Sequence, residues 1–280
     1  MHIAFIRPAA QANNYINNVP LNYVHLSAYM HENGHEAGIL DLVLKDMTTD
    51  HVDDYIRSHK VRVAGIGCMT CEFPDAIEEA RRLKHVHPEI HIVFGGAHAS
   101  GDPAECLKTG VVDYVITGEG EIALVSLLNE LDTGRTTNAI PGVWSIKDGH
   151  VSENVPASVP SIEELPPPAF NLLDLDAYFR LDSPWHFPKS PRAIQFVSSR
   201  GCPYHCSYCH TIHGKRYRGL SPTKVVDQME NLVEAHGVGE FMMVDDIFNF
   251  DLDRAKEICH QIINRRLNIH MQFPNGVRGD

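Results

Sequence analysis

The strongest constraint on this chain is a rhythm. Short β-branched or apolar runs alternate with helical patterns: "HIAFI" then "LNYVHLSAYMHENG", "AGILDLV" then "HVDDYIRSH", "VRVAGIG" then "FPDAIEEARRLKHVH". The series continues with "IHIVFGG" then "DPAECLKTG" and with "VDYVITG" then "GEIALVSLLNELDTG". Five strand and helix pairs, punctuated by glycine and proline, predict a doubly wound α/β domain on a five-stranded parallel sheet. Such a sheet takes its ligand outside the carboxyl ends of its strands. Here those ends carry glycines: "GIGCMTC" at Gly65 to Cys71, "GGAHAS" at Gly95 to Ser100, "TGEGE" at Thr117 to Glu121. Gly95 and Gly96 would let a ligand approach the backbone, and Glu119 or Glu121 could accept hydrogen bonds or sit at a helix start. No Walker A pattern and no GxGxxG follows the first strand, so a nucleotide phosphate is not the expected guest.

The character changes after "PGVWSIKDGHVSENV", which reads as a small hairpin. Eight of the 17 prolines lie between Asn154 and Arg192, a density that cannot continue helices or central strands. A new strand begins at "AIQFVSS", followed by a cysteine-bearing loop, a helix "SPTKVVDQMENLVEAHG", a strand "EFMMVDD", a helix "LDRAKEICHQIINRR" and a strand "IHMQFPNG". The expected organisation is a first domain over 1–150, a proline-rich linker or wrapping segment over 151–192, and a second α/β domain over 193–280.

Seven cysteines, an odd number, together with a chain start unlike a signal peptide and no apolar run of ~20 residues, predict a cytoplasmic protein. Its thiols are expected to serve metal or redox chemistry. A net charge of −12 disfavours a large nucleic-acid surface. Three of the cysteines, Cys202, Cys206 and Cys209, form C-x3-C-x2-C on one loop. A structural zinc site would need a fourth ligand, with His205, His210 or His213 as candidates. An iron–sulfur cluster fits better, since thiolates hold its irons and three ligands to a four-iron cluster leave one iron open. Cys68 and Cys71 make a C-x-x-C after a strand; pocket or core packing is expected of them, in preference to a thioredoxin-type redox pair. Cys106 and Cys259 read as core. The basic run Lys215, Arg216 and Arg218 reads as a solvated loop, with an anionic ligand as the alternative.

"SSRGCPYHCSYC" directly after a strand resembles the signature of the radical S-adenosylmethionine (SAM) superfamily, with Tyr208 just before the third cysteine. The resemblance implies that Cys202, Cys206 and Cys209 hold a [4Fe-4S] cluster, that SAM chelates its open iron, and that Tyr208 lies beside the adenine. The family's next strand usually ends in a Gly-Glu type motif that contacts the SAM amino group. Here the segment is "MMVDDIFNF", which makes Asp245 and Asp246 the candidate SAM contacts. This "DDxF" version resembles the branch with a cobalamin-binding N-terminal domain. "FGGAHASGDPAECL" and "VDYVITGEGE" are similar to that Rossmann-like domain, and by analogy Gly95, Gly96, His98, Gly118 and Glu119 would line the cobalamin pocket. The DxHxxG motif that supplies a lower histidine ligand in other cobalamin proteins is absent.

The resemblance implies a cobalamin-dependent radical SAM enzyme. A reduced cluster would cleave SAM to a 5′-deoxyadenosyl radical, which takes hydrogen from an unactivated carbon; in many members methylcobalamin then methylates that carbon. It further implies a small-molecule or natural-product substrate and an external electron donor of the flavodoxin or ferredoxin type. The alternatives are a cobalamin-assisted cyclisation or rearrangement, and a non-catalytic corrinoid- or zinc-binding module. The 88 residues from Ala193 hold about three βα units at ~30 residues each, so the second domain is expected to be the first part of a partial TIM barrel. The rest of that barrel is then expected from a longer protein or from a partner chain.

Overall fold

The computed structural model describes residues 1–9, 18–134, 140–147, 149–152, 155–181, 188–210 and 212–279. Asp148, Glu153 and Asn154 of the expected hairpin, Asp182 to Phe187 of the proline-rich segment and Thr211 of the cysteine loop lie outside the described residues. The chain divides into two compact units, the first built mainly from Asn22–Pro160 with the opening strand and Pro168–Leu173, the second mainly from Ser161–Pro167 and Asp174 onward.

In the first unit the elements run β1 (His2–Arg7), α1 (Leu21–Glu32), β2 (Glu36–Asp41), α2 (Thr49–Ser58), β3 (Val63–Gly67) and α3 (Phe73–Val86). There follow β4 (His91–Gly95), α4 (Gly96–Gly101), α5 (Pro103–Lys108), β5 (Tyr114–Ile116) and α6 (Glu121–Thr133). Strands β1 to β5 are parallel in the order β2-β1-β3-β4-β5. The period-2 alternation of a strand sends neighbouring side chains to opposite faces. Ile3, Phe5, Val63 and Val93 therefore pack on one face against Tyr23 and Met30 of α1 and Leu124, Leu127 and Leu128 of α6. Ala4, Ile6, Ala64, Ile66 and Phe94 pack on the other against Val52 and Ile56 of α2, Ala80 and Leu83 of α3, and Leu107 of α5. Burial on both faces is why these strands read as continuous apolar runs.

The sheet is larger than the expected five strands. β6 (Val143–Lys147) and β7 (His150–Val151) are the expected hairpin, but β6 also pairs antiparallel with β5 and takes the sheet to seven strands. The physical reason is the edge: β5 is short, and β6 covers backbone groups that an open edge would expose.

In the second unit a short helix α7 (Leu175–Phe179) precedes β8 (Ala193–Phe196), β9 (Ser199–Arg200), β10 (Arg218–Gly219), α8 (Pro222–His236), β11 (Glu240–Met243), α9 (Leu252–Asn264) and β12 (His270–Gln272). β8, β11 and β12 form a parallel sheet in which each new strand lies beside the previous one. That is the progression of a βα barrel. Its three strands match the expected first part of a barrel. β9 and β10 pair antiparallel through Arg200 with Arg218 and Ser199 with Gly219, so residues 201–217 form a loop closed at its base.

Candidate functional site

At the carboxyl edge of the first sheet, the order of strands reverses between β1 and β3, where doubly wound sheets usually leave a crevice. Tyr23 fills it. Its ring is 2% exposed and stacked on Phe5 at 5.3 Å. Its hydroxyl donates to the Ile6 carbonyl oxygen at 3.0 Å and accepts from the Gly67 N–H at 2.8 Å. Burial pushes the phenol well above its ordinary pKa, so it stays neutral and keeps both bonds.

The glycines lie further along this edge. The loops after β3 and β4 are zipped together: Cys68 N–H donates to the Gly95 oxygen at 3.3 Å, and His98 N–H donates to the Cys68 oxygen at 3.2 Å. Gly96 is required by the chain itself, with φ +88° and a Cβ that would sit 3.2 Å from both Cys68 N and O. Gly95 is not. Its backbone is extended at φ −149°, and a Cβ there would meet only the Ile116 oxygen, at 3.8 Å. Gly118 N–H donates to Ser100 Oγ at 3.0 Å, tying the end of β5 to α4.

His98 belongs to the short helix α4, not to an open loop, and is 7% exposed. Its ring lies 4.0 Å from that of Phe73, with Nδ1 3.4 Å from Thr70 Oγ1. Nε2 is 3.4 Å from a Glu105 carboxylate oxygen but makes no hydrogen bond. The imidazole is thus packed among α3, α4 and α5. Glu119 and Glu121 are both buried just before and at the start of α6. Cys68 and Cys106 are buried, and burial pushes their thiols up to about 12 and about 11. Neither offers a thiolate at neutral pH. Cys71 is not a core residue: a single turn at Thr70–Glu72 carries it to the surface, which excludes core packing from the two expectations of pocket or core.

In the second unit the cysteine loop is anchored before it begins. Gly201 has φ +84°, and a Cβ there would collide with the Arg216 carbonyl oxygen, so glycine is needed twice over. Asp245, buried at the end of β11, accepts from Ser198 Oγ at 2.8 Å and also from the Ser199 hydroxyl and the Ser198 N–H. Burial pushes its carboxyl up, opposed by those hydrogen bonds and by Arg254. Arg254, on α9, reaches into the same region: Nε donates to the Leu220 oxygen at 2.6 Å, Nη2 to the Ser198 oxygen at 2.7 Å and Nη1 to Tyr217 Oη at 3.1 Å. Asp246 turns to the loop itself, accepting from the Gly201 N–H at 2.8 Å and lying 3.2 Å from His210 Nε2.

Within the loop Cys202 is half-buried, Cys206 and Cys209 are exposed, none is in a disulfide, and Cys209 N–H donates to the Cys206 oxygen at 3.1 Å. Tyr208 is 90% exposed. Among the described residues no three histidine, cysteine or carboxylate side chains converge on a point that could hold a metal ion. The donor chemistry nevertheless suits an iron–sulfur cluster: three uncommitted soft sulfur ligands lie on one accessible loop. Metal binding commonly completes a site that its ligands have not pre-assembled. Two of the three basic residues brace the loop, Lys215 donating to the Tyr204 oxygen at 2.8 Å and Arg218 to the His213 oxygen at 3.3 Å. Cys259 is exposed, contrary to the expectation of core packing. The buried stripe of α9 is Arg254, Ala255, Ile258 and Ile262, and the residue after Ile258 turns outward.

Sequence reasoning missed Tyr23 and Arg254. A readable signal existed for the second, an arginine three positions after the helix-capping Asp251 and on the apolar stripe.

The family model for the B12 binding domain matches residues 9–128. An uncharacterized methyltransferase of Pyrococcus horikoshii is 28% identical over 254 residues, covering 89% of this chain and 53% of that protein. The anaerobic magnesium-protoporphyrin IX monomethyl ester cyclase of Rubrivivax gelatinosus is 30% identical, covering 96% of this chain and 49% of that protein. The chain thus spans about half the length of these curated relatives. Among solved structures, the cobalamin-dependent S-adenosylmethionine radical enzyme OxsB with aqua-cobalamin bound superposes with a TM-score of 0.78 at 18% identity, covering 96% of this chain and 38% of that one. That likeness is one of fold. Residues 9–128 thus match a B12 binding domain, and over nearly its whole length the chain has the fold of a cobalamin-dependent radical SAM enzyme.

Proposed function

We propose that this chain is the cobalamin-binding and cluster-bearing part of a radical SAM methyltransferase. The observation that carries the reading is the loop 201–217, which presents three unpaired thiols from a closed, anchored base at the end of the first strand of a barrel-type sheet. Cys202, Cys206 and Cys209 would hold a [4Fe-4S] cluster and leave its fourth iron to SAM. When bound, the cluster and SAM supply a 5′-deoxyadenosyl radical able to take hydrogen from an unactivated carbon, and cobalamin supplies the methyl group.

The chain's own residues would then have separable tasks. Gly201 and the β9–β10 pairing give the thiols a fixed base. Tyr208, 90% exposed, is available to cover the adenine. Both candidate SAM contacts already have partners within the chain, Asp245 in Ser198 and Ser199 and Asp246 in the Gly201 N–H, so either would reach SAM only through a remaining lone pair. In the first unit, Gly95, Gly96 and Gly118 would give cobalamin a side-chain-free floor, with Glu119 at its rim. His98, packed against Phe73, would support that floor without ligating cobalt. An external flavodoxin or ferredoxin would supply the electron.

A second reading, cobalamin-assisted ring formation, is favoured by the name of the Rubrivivax gelatinosus relative, a cyclase. The deciding experiment is iron, cobalt and zinc content after anaerobic expression with a cobalamin supply. About four irons and one cobalt per chain support the proposal. One zinc with neither iron nor cobalt overturns it. Release of 5′-deoxyadenosine with a methylated product supports methyl transfer; release without one supports ring formation or rearrangement.

A further inference from the structure

One carboxylate spans the whole cysteine segment. Asp246 Oδ2 accepts from the N–H of Gly201, the residue before Cys202, while Oδ1 faces His210 Nε2, the residue after Cys209. The support beneath it is rigid. The Asp245 side chain is held by Ser198 and Ser199, and its carbonyl oxygen accepts from Asn275 Nδ2 at 3.0 Å. Asp246 itself is only 14% exposed at its side chain, so little water competes for the Gly201 bond. The Gly201 end is equally constrained, because φ +84° and the nearby Arg216 oxygen leave that residue little freedom to move.

We infer that Asp246 is the positioning residue of the cysteine loop, holding in place before any metal arrives the two residues, Gly201 and His210, that flank the run from Cys202 to Cys209. Its chemical consequence rests on the cluster reading above; its geometric content does not. Asp246 restrains the loop from both ends, and it does so through a bond to the amide that joins Arg200 to Gly201.

That amide supplies a test independent of metal. Trypsin can cut Arg200–Gly201 only after an opening that frees buried Arg200 from its pairing with Arg218 and the Gly201 N–H from Asp246, so losing the Asp246 bond makes that opening less costly. In the metal-free chain, Asp246→Ala should raise the cutting rate there by about tenfold or more, the scale of one lost hydrogen bond to a charged group, with other sites unchanged. Asp246→Asn keeps an oxygen that can accept from the N–H and should stay within about threefold of the wild type. Cutting of Asp246→Ala at the wild-type rate overturns the inference. After anaerobic iron and sulfide reconstitution, Asp246→Ala should hold less than about half the wild-type iron and give a broadened electron paramagnetic resonance signal, with Asp246→Asn restoring both. Faster cutting with unchanged iron and an unchanged signal reduces the bond to a structural one and overturns the positioning role. If the wild type takes up no iron, the cluster reading fails while the proteolysis still decides whether Asp246 restrains the loop.

Discussion

Gly95 offers the sharpest separation of folding from ligand binding. Its backbone is extended, and an added Cβ would meet nothing nearer than the Ile116 oxygen at 3.8 Å, an ordinary van der Waals contact. The protein without ligand has no steric use for a glycine here. Gly95→Ala should therefore stabilise the free chain by about 0.4–1 kcal/mol, through the lost freedom of the unfolded state. That corresponds to a rise of about 1–4 °C in Tm. If cobalamin lies against this backbone, the same methyl group holds it off, and a tenfold weaker Kd corresponds to about 1.4 kcal/mol. Gly95→Val should weaken it further. The assay is an absorbance titration with hydroxocobalamin beside a thermal melt of each free variant. Gly96→Ala is the control: at φ +88°, with a Cβ 3.2 Å from two backbone atoms, it should lose about 1–2 kcal/mol or more before any ligand is added. Wild-type cobalamin affinity in Gly95→Val would refute the placement of the ligand over this strand end, and a destabilised free Gly95→Ala would refute the steric argument.

Gly201→Ala should destabilise the second unit by about 3 kcal/mol or more, the sum of a left-handed backbone and a collision, read as a lower urea midpoint for its transition. Arg254→Met removes the donor to the Leu220 oxygen and one donor to the Ser198 oxygen; a loss of about 3 kcal/mol is expected in the same melt. Alkaline pH should weaken the first unit. Cys68 and Cys106 hold their protons to about 12 and about 11 when folded. An unfolded thiol releases its proton near 8.5, so between there and about 11 the folded chain binds more protons and stability falls as pH rises. Urea midpoints at pH 8 and pH 10 should show that slope, flattened in Cys106→Ala.

Local periodicity carried most of the architecture into view. The apolar runs of β1, β3 and β4 show the doubly wound sheet because both faces of each strand are buried, and the glycines that end β3 and β4 mark its carboxyl edge. The cysteine spacing was legible because all three thiols share one loop. What escaped depends on partners distant in sequence. Tyr23 lies in an apolar helix pattern that does not reveal a hydroxyl reaching Ile6 and Gly67. Arg254 meets carbonyl groups 34 and 56 residues away. The addition of β6 to the sheet turns on the unmet backbone of β5, which no pattern within "VWSIK" encodes. Cys259 fell on the wrong side because one residue along a helix is a rotation of about 100°.

The Tyr23 hydroxyl has a consequence for how the first sheet can open. Direct pairing of β1 with β3 runs from Ile3 with Val63 to Phe5 with Gly65, and beyond it Tyr23 bridges the Ile6 oxygen and the Gly67 N–H. A side chain thus stands in for one rung of the ladder. The two strands can splay apart above Phe5 while each keeps its backbone partner, and the span of that rung is set by a phenol oxygen carried on α1. The carboxyl end of the sheet is in this sense tied to a helix: the spacing of β1 and β3 there is set by a phenol oxygen that α1 carries.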